Sequence, residues 1–243
     1  MSKHYLQLAA SVALLIVTTP LYAQTCVVAF PEQNGSWATV EENQFGGPLI
    51  NSADQIFAAA KMEVAHHPVE PWADVLKKFE NGKIDILAIA LRSAEREKTM
   101  KFVGPWLSYH WGPFTLAHTN PNDLKHPTIG VNRALKNVQP IPTYLTRLHG
   151  NPDWDTPANL VNKLSSGKID IILGEREVIN RQASINGLQV KELPGTDMRM
   201  TAYMAINPSS ACMKHAETLD RAIRDWKKDG GHEQLITAVA ELN

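Results

Sequence analysis

Charged and hydroxyl side chains follow two apolar runs of the chain, at the points where each run ends. Arg92, Ser93 and Arg96 come after the first run, and Glu175 comes after the second. An arginine can fork a carboxylate, and a glutamate can accept hydrogen bonds from an ammonium group. The two charges together would suit a zwitterion if the fold brings them to one cleft. The alternative is that residues 92–101, which are mostly charged or polar, form a solvated helix face.

The two apolar runs belong to a segment that occurs twice. Residues 78–88 return as residues 163–173, and six of the eleven positions are identical. In both copies a helical pattern ends in a lysine-containing turn, a glycine follows, and a short apolar strand begins. The repeat predicts one helix–glycine–strand unit in each half of the chain, and so two similar lobes with a cleft between them. A chance likeness between two ordinary helix ends is the alternative.

Strands and helices alternate along most of the chain, which is typical of a parallel sheet with crossover helices. Residues 109–117 and 200–206 instead have the pattern of extended chain, and they lie between the two halves. We therefore predict an α/β protein of two lobes, each a parallel-type sheet with flanking helices, joined by two hinge strands. The expected first lobe is residues 24–112 plus 206–243, and the second is residues 113–205.

The first 23 residues have the order of a secretory signal peptide. Lys3 supplies the basic start, an apolar run follows, and Ala23 is the small residue at the predicted cleavage site. The sequence therefore predicts an exported, periplasmic protein. Removing these residues leaves 220 with a net charge of −2 instead of −1, because Lys3 is the only charged residue lost. Nothing in the remaining chain is basic enough to indicate nucleic-acid binding.

The chain contains two cysteines, Cys26 and Cys212. An even number of cysteines in an oxidising compartment favours a disulfide, and two free buried thiols are the alternative. The bridge would join the first strand to the region before the last helices. Both ends of the chain would then belong to the same lobe.

The order of several motifs resembles the family 3 extracellular solute-binding proteins, which are periplasmic receptors for polar amino acids and related solutes. These motifs are Trp72…Leu76…Phe79…Gly82-Lys83-Ile84-Asp85, then Glu95-Arg96-Glu97-Lys98, and then Phe102-Val103-Gly104-Pro105-Trp106. The resemblance implies the two-lobed periplasmic-binding-protein type II fold and a monomer that binds a small polar solute without a cofactor. It also implies a partner, the membrane permease of an ABC importer.

The resemblance assigns roles to individual residues. Arg96 matches the arginine that forks the α-carboxylate of the ligand in that family, and Ser93 matches the hydroxyl residue three places earlier. Glu175 matches the acidic residue that holds the α-ammonium group. Trp37 lies where the family places an aromatic ring that stacks on the ligand, with core packing as the alternative. Arg92 and Arg133 are candidates to bind a more acidic ligand, with plain surface positions as the alternative.

Three places depart from the pattern of that family. Leu91 replaces a small polar residue, and Gly47-Pro48-Leu49-Ile50-Asn51 replaces a first-lobe signature. Asn132-Arg133-Ala134 replaces a Gly-Ser or Gly-Thr turn that normally offers backbone N–H groups to the carboxylate. The ligand therefore need not be an ordinary α-amino acid.

Motifs for metal binding and catalysis are weak. His66 and His67 would point to opposite faces of a strand, and His232-Glu233 lacks a second histidine four places on. The chain has no nucleophile elbow and no glycine-rich phosphate loop. We predict no catalytic residue and no metal site. Two alternatives to a transport receptor stay open: a stand-alone sensory or accessory binding module, and a periplasmic dehydratase-type enzyme with Glu175 as general acid or base.

Overall fold

A computed structural model of the chain describes residues 24–30, 39–41, 44–136, 141–194 and 198–241. The predicted signal peptide and Trp37 lie outside these ranges. The strands are β1 (Cys26–Ala29), β2 (Thr39–Glu41), β3 (Gln44–Gly46), β4 (Val64–His66), β5 (Ile86–Leu91), β6 (Lys101–Leu116), β7 (Thr128–Asn132), β8 (Asn151–Asp155), β9 (Ile171–Glu175), β10 (Val190–Glu192) and β11 (Met198–Ile206).

Helices pack on both sides of these strands. They are α1 (Pro48–Ala59), α2 (Trp72–Glu80), α3 (Ile141–Arg147), α4 (Pro157–Ser165), α5 (Arg176–Ile185), α6 (Ala216–Lys228) and α7 (Gly231–Glu241). Short 3-10 turns cover Arg96–Lys98, Pro121–Asp123, Arg133–Leu135 and Ala211–His215. None of the helices in the described ranges combines the length and the apolar composition that a membrane crossing needs.

Nine strands form one mixed sheet in the order β4-β1-β5-β11-β6-β9-β7-β8, with β10 also paired to β6. The first three strands run parallel at one end, and β9, β7 and β8 run parallel at the other. Between these blocks lie β11 and β6, which are antiparallel to each other and to the strands beside them. These two long strands occupy the predicted hinge segments. The α/β fold with two parallel blocks and two hinge strands is confirmed.

The two blocks have the same internal order. β1 lies in the middle of the first block with β4 outside it, and β7 lies in the middle of the second with β8 outside it. In the first block α1, α6 and α7 cover one face and α2 covers the other. In the second block α3 covers one face, and α4 and α5 cover the other. Each block therefore has its own hydrophobic core on both faces of its sheet.

The repeated segment forms the same helix–glycine–strand joint in both blocks. Gly82 and Gly167 end α2 and α4 with φ of +71° and +69°, where a glycine meets no steric penalty. In each copy the N–H of the residue after the glycine returns to the carbonyl of a lysine five residues earlier, Lys78 or Lys163, at 2.9 Å. This 6→1 hydrogen bond is that of a Schellman cap. The predicted glycine cap is confirmed in both halves.

The aspartate of the repeat connects each joint to the neighbouring strand. The Asp85 carboxylate accepts the Val27 N–H at 2.7 Å, and the Asp170 carboxylate accepts the Thr128 N–H at 2.8 Å. In both copies the aspartate N–H donates to the carbonyl of that same partner residue at 2.9 Å. The aspartate thus sets how β5 aligns with β1, and how β9 aligns with β7.

The lysine of the repeat also has equivalent partners. Lys78 forms an ion pair with Glu70, which stands eight residues earlier and just before α2. Lys163 forms ion pairs with Asp153 at 2.8 Å and with Asp155 at 3.0 Å, and Asp155 again stands eight residues before its lysine. The structural repeat therefore reaches back beyond the segment that is visible in the sequence. This argues against a chance likeness.

Two local features were not predicted from the sequence. Residues 47–51, which depart from the pattern of the resembled family, form the start of α1, with Gly47 as its N-cap and Pro48 as its first residue. Strand β8 reads Asn-Pro-Asp-Trp-Asp and has no apolar run that would predict it. It lies at the end of the sheet, where a proline and charged residues are tolerated because one side of the strand has no partner.

The disulfide between Cys26 and Cys212 is present, with a Cα–Cα distance of 6.1 Å. Both residues are completely buried in the core of the first block. Next to the bridge, the Ser210 hydroxyl donates to the Asp85 carboxylate at 2.5 Å and accepts the Cys212 N–H at 2.9 Å. The disulfide and the first joint therefore form one connected group that holds the C-terminal region on the first block, as expected.

The two aspartates should respond differently to loss of their charge. Asp85 accepts two donors on two oxygens, so Asp85→Asn turns an amide N–H₂ toward one of them and should cost about 2 kcal/mol. The Asp170 carboxylate accepts one hydrogen bond, from the Thr128 N–H, and an asparagine oxygen can still accept it. Asp170→Asn should therefore lower the free energy of unfolding by less than about 1 kcal/mol. Urea unfolding of both variants measures the free energies. Equal losses would contradict the different roles.

Reduction of the disulfide should lower the stability of the whole first block. The bridge closes a loop of 186 residues, for which the chain-entropy model gives about 5 kcal/mol. Denaturant unfolding with and without reductant measures the difference. Intact-mass measurement of the alkylated protein is the control, because it shows whether both thiols were bonded before reduction. A denaturant unfolding curve that reductant leaves unchanged would contradict this prediction.

Candidate functional site

The carboxyl ends of β5 and β9 face one another across the hinge strands. Leu91 ends β5 and pairs with Ala202 of β11, which pairs in turn with Leu107 of β6. Glu175 ends β9 and pairs with Trp111 of β6. Because β5 and β9 run in opposite directions, their ends point toward each other, four residues or about 13 Å apart along β6. Ligands in open α/β sheets gather beyond such carboxyl ends.

Glu175 is the buried acid of this site. Glu175 is only 7% exposed, and it is the last residue of β9, whose other four residues are also buried. Its side chain lies on the same sheet face as Ile171 and Leu173, because side chains alternate along a strand. Carboxylates are almost never this buried unless they are paired or hydrogen-bonded. The position suits a group that accepts hydrogen bonds from a bound cation.

Tyr109 lies on β6 between the two strand ends. It packs against the hydrophobic clusters of both blocks, as Leu91 also does. Burial raises the pKa of Tyr109, and the nearby charge of Glu175 raises it further. Tyr109 is therefore a neutral phenol close to the Glu175 carboxylate. Tyr109 was not predicted as a site residue, since an aromatic side chain in an extended segment carries no signal of its own.

Trp111 adjoins Glu175 on the neighbouring strand. It is 6% exposed, and its side chain packs in the cluster that covers one face of the second block. Among the described residues no acceptor lies within hydrogen-bond distance of its indole N–H. By contrast, Trp106 is completely buried and donates its indole N–H to the Ala88 carbonyl at 2.9 Å. Of these two tryptophans, Trp111 is the one whose indole N–H could donate a hydrogen bond to a ligand in the candidate site.

Arg96 is the cation of the first block. It begins a 3-10 turn in which the Ser93 hydroxyl accepts the Arg96 N–H at 3.2 Å. Its guanidinium donates through Nη1 to the Leu91 carbonyl at 2.9 Å. Partial burial lowers the pKa of Arg96, and the charge of Glu95 acts in the opposite direction. An arginine stays protonated in any case, so its remaining donors can bind an anion.

Arg92 points to different partners. Its side chain is exposed, forms an ion pair with Glu97 and lies over the ring of Tyr203, with 5.7 Å between the guanidinium carbon and the ring centre. The hydrogen bond and charge of Glu97 raise the pKa of Arg92. Arg92 is next to Ser93 in the sequence, but the Arg92 guanidinium contacts Glu97 and Tyr203.

Arg133 lies at the same sheet edge as Glu175. β7 and β9 are parallel, with Val131 beside Leu173, so the carboxyl end of β7 lies next to that of β9. Arg133 begins the 3-10 turn that follows and has an exposed side chain. Residues 132–134, which depart from the pattern of the resembled family, are therefore the last residue of β7 and the start of this turn. Trp37 lies outside the described residues, so its stacking role stays a prediction.

Metal binding has no site in the part of the chain that the structure describes. There, histidine, cysteine, aspartate and glutamate side chains never come together in a group of three or more that could hold an ion. Two histidines each pair with a single carboxylate instead. One such pair joins His66 to Asp54 at 2.8 Å, and another joins His110 to Glu192 at 2.6 Å.

Comparison with known proteins gives matches at the level of structure. No family model and no curated protein matches the sequence. The probable amino-acid ABC transporter extracellular-binding protein ytmK from Bacillus subtilis has a TM-score of 0.74 at 16% identity, covering 88% of this chain and 96% of that chain. An arginine 3rd transport system periplasmic binding protein from Legionella pneumophila has a TM-score of 0.70 at 15% identity, covering 88% and 98%.

A third similar structure is a histidine kinase sensor domain with similarity to periplasmic binding proteins. Its TM-score is 0.72 at 15% identity, and the match covers 88% of this chain and 95% of that chain. At these identities the likeness is one of fold. Together with the facing strand ends and the two hinge strands, it shows that the chain has the two-lobed α/β fold of the periplasmic binding proteins.

Proposed function

We propose that this chain is an exported solute-binding protein that closes its two lobes around a small polar solute, an amino acid or a related carboxylate. One observation carries the proposal. The half-buried Arg96 follows the end of β5, and the buried Glu175 lies at the facing end of β9. A molecule with a carboxylate at one end and an ammonium group at the other matches these two charges.

Each residue has a defined role in this proposal. Arg96 forks the carboxylate of the solute, and the Ser93 hydroxyl donates its own hydrogen while it accepts the Arg96 N–H. Glu175 accepts hydrogen bonds from the ammonium group. Tyr109 forms the floor between the lobes. The solute then bridges both lobes, and closure is favoured because only the closed state makes both sets of contacts.

The lobes of this proposal are residues 24–112 plus 206–243 and residues 113–205. Both boundaries fall within or at the end of β6 and β11, so bending of two adjacent strands would move one lobe relative to the other. Cleavage after Ala23 would release the chain into the periplasm as a monomer. The closed form would be recognised by the permease of an ABC importer, as suits a fold shared with a probable amino-acid ABC transporter binding protein and with a transport-system periplasmic binding protein.

A sensory role is the second candidate. The likeness to a histidine kinase sensor domain is the observation that favours it. Both roles use the same closing cleft and differ in the membrane partner. Co-purification of the solute-loaded protein with either a permease or a sensor kinase of the same cell would separate them. Turnover of a bound solute would support the dehydratase-type alternative instead.

Arg96→Ala should remove solute binding. A thermal-shift screen of amino acids, dicarboxylates and polyamines would first identify a solute that raises the melting temperature. Loss of the forked charge pair should then weaken binding at least about 30-fold in calorimetry, which corresponds to about 2 kcal/mol. The matched control is Arg221→Ala, which removes an exposed arginine from α6. Unchanged affinity in the Arg96 variant would contradict the assigned role.

Glu175→Gln should discriminate between solutes. An amide keeps the size of the side chain and loses its negative charge, so amine-bearing solutes should bind at least about tenfold more weakly. A carboxylate without an amine should change by less than about threefold, because it has no contact with this charge. Calorimetry with one solute and its deaminated analogue gives the comparison. Equal losses for both compounds would rule out an ammonium-binding role.

A further inference from the structure

A second groove lies beside hinge strand β11 and has a volume of about 500 Å³. One wall is the turn after β5, and the other is the strand itself. The lining residues are Leu91, Arg92, Ser93, Ala94, Glu97, Arg199, Met200, Thr201 and Tyr203. Neither Arg96 nor Glu175 belongs to this lining. The volume is in the range of pockets that bind small molecules.

Most of the strand residues in this groove face away from Glu175. Arg199 pairs with His110, and Thr201 pairs with Ser108, so both lie on the sheet face opposite to Tyr109. Tyr203 continues the same alternation. The groove therefore lies across the hinge strands from the buried acid of the candidate site.

The charges of the groove are predominantly positive. It contains two guanidinium groups and one carboxylate, and that carboxylate, Glu97, is already paired with Arg92. Within the described ranges no acidic side chain lies at ion-pair distance from Arg199, whose side chain is exposed. Three hydroxyl groups, those of Ser93, Thr201 and Tyr203, lie in the same lining. Cations and hydroxyl donors together are the groups that bind oxyanions.

Part of this groove is already ordered. The Arg92 guanidinium is held by Glu97 on one side and by the Tyr203 ring below it. The Tyr203 ring in turn packs edge-on against Phe102, with 5.8 Å between ring centres. Groups that are fixed before binding lose little conformational entropy when a ligand arrives. A ligand in the groove would therefore mainly have to order Arg199.

We propose that this hinge groove binds a small oxyanion, a carboxylate or a phosphate, through Arg199 and the hydroxyl groups of Thr201 and Tyr203, with Arg92 as the second cation. The ligand touches the hinge strand on one side and the segment of Ser93 on the other, and the Ser93 hydroxyl accepts the backbone N–H of Arg96. Occupancy of the groove would thus favour one hinge geometry and change the affinity for the solute. The solute must change the affinity for the oxyanion by the same factor.

Binding of the oxyanion does not rest on the proposed function, and only its coupling to the solute does. The test titrates the solute-free protein with inorganic phosphate and, separately, with malonate, at an ionic strength held constant with potassium chloride. We expect saturable heats, with Arg199→Gln weakening the affinity at least tenfold. Arg221→Gln removes the same charge from α6 and should change the affinity by less than twofold. The probe that binds more tightly shows whether the groove prefers a phosphate or a carboxylate.

Two further variants make the outcome decisive. Arg199→Lys should restore part of the affinity, because it returns the charge. Arg96→Ala should leave phosphate and malonate binding unchanged while it removes solute binding, which separates this groove from the candidate site. Heats that do not saturate, or equal losses in the Arg199 and Arg221 variants, would overturn the proposal. Loss of oxyanion binding in the Arg96 variant would overturn it too, because the anion would then occupy the cleft between the lobes.

Discussion

A carboxylate that accepts a backbone N–H from the neighbouring strand determines the alignment of both parallel blocks. Asp85 does this for β5, and Asp170 does it for β9. Side chains alternate between the faces of a strand, so a slip of one residue would turn every following side chain to the opposite face. Glu175 lies five residues after Asp170, on the same strand segment. The direction of the buried acid therefore depends on the hydrogen bond at the start of its strand.

The same joint in two antiparallel copies explains why the chain has a cleft. Each joint delivers a strand of similar length, and the hinge strands place the two strands head to head. The repeat thus supplies a symmetrical frame. The residues that follow each strand make the frame asymmetrical: a half-buried arginine follows the first strand, and a buried glutamate ends the second. Under the proposed function, this asymmetry would let a ligand with two different ends bind in one orientation only.

Local signals allowed much of this fold to be predicted from the sequence. Gly82 and Gly167 mark helix ends, apolar runs mark buried strands, and a resemblance of motif order pointed to Arg96 and Glu175. Features that depend on distant partners were not predictable. Strand β8 exists because β7 lies beside it, and Arg92 is directed by Tyr203, which is more than a hundred residues away in the chain. Spacing along the sequence contains no information about such contacts.

Burial distinguishes the two arginines that could act in the proposed closure. Arg92 is exposed and already paired with Glu97, so moving the lobes together changes its free energy little. Arg96 is half-buried, its backbone N–H donates to the Ser93 hydroxyl, and its guanidinium donates to the Leu91 carbonyl. Glu175 is buried on the facing side. Under the proposed function, bringing the lobes together removes water from Arg96 and from Glu175. A solute with a carboxylate at one end and an ammonium group at the other would offer each of them an opposite charge, and the proposed closure would then be favoured by the bound solute.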